Sequence, residues 1–125
     1  MKKDIADRRD LDFLLKAFYT RLLQDNSINY IFTDVMKVNL DTHLPIITDF
    51  WESILFDRNI YKNNPMKIHL EMHHQTPLLK NHFDTWLLYF NSTIDQFFDG
   101  PIAARAKERA LSIATVMQIK IGQER

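Results

Sequence analysis

Cysteine is absent from the 125 residues, which excludes disulfides, thiolate metal sites and a cysteine nucleophile. Glycine is nearly absent: Gly100 and Gly122 are the only two, so neither common glycine-rich phosphate loop can be built. The one Asp-Gly pair, Asp99-Gly100, runs into Pro101 instead of a second alternating apolar run, and no hairpin signal remains. An excess of either charge is also missing. Lys plus Arg and Asp plus Glu are 16 each, so nothing draws the chain to nucleic acid or to an anionic membrane. Lys2, Lys3, Arg8 and Arg9 alternate with Asp4, Asp7 and Asp10, a solvated mixed-charge start and not a basic arm. No apolar run approaches the roughly 20 residues of a membrane span, and the charged N-terminus has no signal-peptide apolar stretch. The expectation is a cytoplasmic chain of one domain, 1–125, able to bury roughly 65% of its unfolded surface.

What is present is helical periodicity, and the chain reads as all-α. Leu11, Leu14, Leu15, Phe18, Tyr19, Leu22 and Leu23 form a 3.6-period stripe over about 10–25, with Asp10 as N-cap and the Asn26-Ser27 pair as its break. A short turn is expected over 28–32. A second helix spans about 40–56; Pro45 is tolerable only in a first turn, which puts the start near Asp41 or Thr42. Its apolar face joins His43, Ile47, Phe50 and Ile54, flanked by Leu44, Trp51 and Leu55. After a polar loop at 57–64, Pro65 opens a short helix over about 66–74. Thr76 and Pro77 then start a third long helix, bearing Leu79, His82, Phe83, Trp86, Leu87, Phe90 and Ile94 on one side and ending at Asp99-Gly100. Pro101 starts the last helix. Its Ala103, Ala106, Ala110, Ile113, Ala114, Met117 and Ile121 suit close helix approach, and Gly122 is expected to stop it.

Four of the five histidines fall between His69 and His82. A neutral imidazole ligates metals, so the cluster admits three readings. Histidines at helix ends can simply bond backbone. A two-histidine zinc site could use His69 and His73, four apart on one helix side, with His82 or Asp84 as third ligand. The zinc-protease pattern itself is excluded, because Leu70 stands where the general-base Glu must follow the first His. The third reading is a haem, which needs apolar walls around one iron-ligating imidazole. Phe32, Phe50, Trp51, Met66, Phe83, Trp86 and Phe90 are available near the histidines, although such aromatics also build ordinary cores.

Several segments, in order along nearly the whole chain, resemble the third group of the truncated haemoglobins, which lacks the Gly-Gly pairs of the other two. They are Phe18-Tyr19, Tyr30-Ile31-Phe32, His43 ahead of Phe50-Trp51, and Tyr61 through Asn64-Pro65-Met66 to His69-Leu70. His82-Phe83, Trp86-Leu87 and Phe90 follow, then Arg109-Ala110, Ile113-Ala114 and Met117.

The resemblance implies a truncated globin fold with helices in a two-over-two arrangement around haem b (iron protoporphyrin IX). His69 would be the iron ligand, its second ring nitrogen donating to a carbonyl or carboxylate; His73 is the competing candidate. Tyr19, His43 and Trp86 would face the other side, where a Tyr hydroxyl or Trp N–H can donate to a diatomic ligand that gains negative character. His43 could instead swing outward as a gate. Phe32, Ile47, Phe50, Met66, Phe83 and Phe90 would wall the pocket. His74 and His82 are expected to be partly exposed or structural. The implied function is binding of O2, NO or another diatomic for storage, transport, scavenging or sensing. The alternative is an enzyme that oxidises nitric oxide or handles peroxide, which needs a separate reductase because no flavin or nicotinamide domain is present. A monomer is the expectation.

Overall fold

The computed structural model describes residues 2–30, 40–56 and 80–123. Those residues form four helices: α1 (Arg8–Leu22), α2 (Leu40–Leu55), α3 (Lys80–Phe97) and α4 (Pro101–Gln123). No strand occurs among the described residues. α1 packs on α2 and α3, α3 packs on α4, and α2 touches α4, so the helices lie as one pair over another.

The α1 stripe behaves as its periodicity requires: Leu11, Leu14, Leu15, Phe18, Tyr19 and Leu22 are all buried. Its start differs from the expected Asp10. Asp7 is the N-cap and accepts from the Asp10 backbone N–H at 3.1 Å. Asp10 itself lies inside the first turn, where its carboxylate accepts from the Ala6 N–H at 2.8 Å and complements the positive helix end. The helix ends at Leu22. Asp25 then takes the backbone N–H of Ser27 at 2.8 Å and its hydroxyl at 2.6 Å, a side-chain turn that competes with further helix. Tyr89 donates to the other oxygen of Asp25 at 2.7 Å, tying the exit of α1 to α3.

Pro45 lies inside α2, beyond the first turn that was expected to hold it. The buried side of α2 also differs. Thr48, Trp51, Glu52 and Leu55 are the buried residues, whereas Ile47, Phe50 and Ile54 are half-buried. The cause is cross-helix pairing: the Thr48 hydroxyl is 2.8 Å from the Asp12 carboxylate, and Arg8 reaches Asp49 at 2.7 Å and Glu52 at 3.6 Å. Buried polar groups are tolerated when so paired.

Between α3 and α4 the chain reverses through Gly100, whose φ of +145° favours glycine. Two of the first N–H groups of α4 lack partners within the helix. Asp4 supplies them from the far end of the chain, accepting from Ile102 at 2.9 Å and Ala103 at 2.8 Å. Ala103, Ala106, Ala110 and Ala114 are buried along α4, as the small-residue stripe requires. Gly122 does not stop this helix, which continues to Gln123; one glycine costs a helix only about 1 kcal/mol.

Candidate functional site

Three residues expected to share a ligand site come from three different helices and converge on Tyr19. The inner stripe of α1 carries Phe18 and Tyr19 side by side into the core, their rings 4.8 Å apart. From α3, Trp86 stands as a side-chain hydrogen-bond partner of the Tyr19 phenol. From α2, the His43 ring meets the Tyr19 ring edge to face, at 6.1 Å between centroids. Burial pushes the Tyr19 phenol far above its usual ionisation range, and the bond from Trp86 pulls down without overcoming it. Tyr19 is therefore a neutral phenol whose oxygen is already accepting.

Behind Tyr19 stands an aromatic block. The Trp86 and Phe90 rings stack at 5.2 Å with 8° between planes, and Trp51 stacks on Phe90 at 4.9 Å and 24°. Phe18 sets its edge against Trp86 at 5.8 Å and Phe90 at 5.3 Å. Phe90 has no exposed surface (0%) and Phe83 is buried. Ile47 and Phe50 are half-buried and stand on the same side of α2 as His43. Phe32, Met66, His69 and His73 lie outside the described residues.

His82 takes the structural one of its two expected roles. It is buried (6% exposed), and its Nε2 lies 3.2 Å from the Tyr30 hydroxyl. Burial lowers its pKa, favouring the neutral ring. Trp51 was among the aromatics available near the histidines but was not assigned to the pocket, and the aromatic backing by Phe18 and the His82–Tyr30 pair were not read from the sequence as parts of the site. Adjacent aromatics on neighbouring helices were the available signal for the first; nothing local signals the second. Among the described residues, no group of three His, Cys, Asp or Glu side chains could hold a metal ion.

The two-over-two set of helices is a truncated hemoglobin fold. The crystal structure of group III truncated hemoglobin from Campylobacter jejuni superposes with a TM-score of 0.85 over 97% of this chain and 95% of that one, at 22% identity. The Group 3 truncated hemoglobin ctb of Campylobacter jejuni is 23% identical over 121 residues, 94% of this chain and 93% of the relative. No family model matches the chain. The resemblance to the third group, first read from scattered segments, thus holds along nearly the whole length in sequence and in fold.

Proposed function

We propose that this chain binds haem b through His69 and holds O2, NO or another diatomic ligand beside Tyr19, His43 and Trp86. The observation that carries the reading is the meeting of Trp86 and a buried, neutral Tyr19 phenol as hydrogen-bond partners, with the His43 ring at the phenol's edge. Ile47 and Phe50, on the same side of α2 as His43, are apolar side chains that the helix packing leaves half-buried. A flat macrocycle with a polar ligand suits both features: apolar walls for its faces and a hydrogen-bond donor where charge develops. The Campylobacter jejuni relative and the Campylobacter jejuni structure of the same fold are both named truncated hemoglobin, which supports the same cofactor here.

Bound haem would supply an iron with one open position for the diatomic. The protein's part is the rest. His69 would hold the group, with Phe32 and Met66 joining Ile47 and Phe50 around it. Tyr19 would donate toward the ligand, with Trp86 as the partner of its phenol and His43 at its edge. The proposed setting is the cytoplasm. No helix among the described residues is long and apolar enough to cross a membrane.

The same hydrogen bond favours reaction over carriage. Each donor must let go before the ligand leaves, at roughly 1 kcal/mol or more, and slow release suits oxidation of nitric oxide or handling of peroxide. Such turnover would draw electrons from a separate reductase.

Titrating the purified protein with haem tests the reading. An intense haem absorption band at one equivalent is expected; its absence would contradict haem binding. His69→Ala should lose the haem or hold it loosely while His73→Ala retains it, and the reverse pattern would move the ligand to His73.

A further inference from the structure

The Trp86 indole is only half-buried, yet it is a hydrogen-bond partner of the buried Tyr19 phenol. An indole at a helix surface can turn about two side-chain torsions, and most of its orientations would carry the N–H away from Tyr19. Something has to fix its plane. Trp86 presents its flat face to Phe90 at 8° between planes, four residues further along the same helix and hence on the same side. Phe90 is itself immobilised: it has no exposed surface, stacks on Trp51 of α2 at 4.9 Å, and receives the Phe18 edge at 89°. The Phe18 ring also abuts Trp86 at 86°, limiting the indole from a second direction.

We infer that Phe90 is a positioning residue: stacked on both Trp51 and Trp86, it holds the Trp86 indole in the plane from which its N–H reaches the Tyr19 oxygen. With no surface of its own, it acts on a ligand only through Trp86. Its flat face is the working feature, not its bulk. A chain of contacts then runs from α2 through Trp51, Phe90 and Trp86 to the phenol, so the register of α2 against α3 sets the direction of a hydrogen bond on α1. What that hydrogen bond does for a diatomic ligand rests on the function proposed above; the positioning itself does not.

The test is hydrogen exchange and chemical shift of the indole N–H groups, measured by NMR on the protein as purified. The chain has two tryptophans, so two signals are expected. Phe90→Leu keeps an apolar side chain but removes the flat face, and should speed exchange of the Trp86 N–H several-fold, up to about tenfold, with loss of its hydrogen-bonded shift. Phe90→Tyr keeps the flat face and should stay near the native rate. Trp51→Leu removes the other ring on which Phe90 stacks and leaves Trp86 as the one indole signal. It should loosen that N–H in the same direction but less, and it remains informative if Phe90→Leu does not fold. A Trp86 N–H unchanged in Phe90→Leu or in Trp51→Leu would overturn the inference. So would equal loosening in the Leu and Tyr variants at position 90, which would make bulk the cause. A protein that takes up no haem would refute the proposed function and leave this measurement standing.

Discussion

The carboxylate of Asp4 occupies the space that a side chain on residue 100 would need: a Cβ built on Gly100 would lie 2.5 Å from the Asp4 Cγ. The glycine and the aspartate are thus one device. It turns the chain through a left-handed conformation and delivers two hydrogen bonds to the start of α4. The Lys3 carbonyl adds a third bond beside it, accepting from Asp99 at 2.9 Å.

Gly100→Ala combines a strained φ with a clash against a carboxylate whose two oxygens are already bonded to backbone N–H groups. We expect it to lose about 2–3 kcal/mol of stability. Asp4→Ala should lose about 1–2 kcal/mol as a lost cap. The double variant should cost less than the sum, because without the Asp4 carboxylate the introduced methyl group has room. Thermal unfolding of the four proteins reads all three statements, and additive losses would contradict the shared device.

The Arg8 cluster joins α1 to α2 across buried Glu52. Arg8→Met would leave Glu52 without that cation. With the Arg8 side chain 40% exposed, the penalty falls short of a fully buried pair, and about 1–2 kcal/mol is expected. Adding Glu52→Met should restore part of it. Denaturant unfolding of both variants checks the coupling, and a double variant worse than the sum would exclude it.

His82 supplies a pH dependence with a definite sign. Its folded pKa lies below the ordinary 6.5 because burial disfavours the charged ring. Between the lowered value and 6.5 the unfolded chain binds more protons than the folded one, so stability falls as pH drops below about 6.5 and is unaffected by this group above it. His82→Gln should flatten that part of the curve. Melting temperatures of wild type and variant at pH about 7.5 and about 5.5 compare the two slopes, and equal slopes would contradict a neutral buried His82.

Helices α1, α3 and α4 were legible because their apolar residues recur at helical spacing, and Pro101 marked a start as proline does. Asp7 was missed as a cap because Arg8-Arg9-Asp10 has no apolar residue to announce a first turn. On α2, apolarity alone singled out the face of His43, Ile47, Phe50 and Ile54. The side chains that pack deepest, Thr48 and Glu52 among them, are buried by partners on α1 some forty residues away, and such pairing leaves no local trace. Its consequence matters for the site: the face expected to be core is only half-buried, where an apolar ligand could lie. Tyr19 and Trp86 are far apart in sequence, and no spacing rule connects them. The resemblance named both residues, and the fold brings them into one hydrogen bond.

The most direct test of the account is the rate at which O2 leaves the haem-loaded protein, wild type against Tyr19→Phe, followed by stopped-flow absorbance. The substitution keeps the buried ring and removes only the hydroxyl that partners Trp86. The account predicts release faster by about tenfold or more, the loss of one charge-assisted hydrogen bond. An unchanged rate would contradict it and leave Tyr19 as core packing.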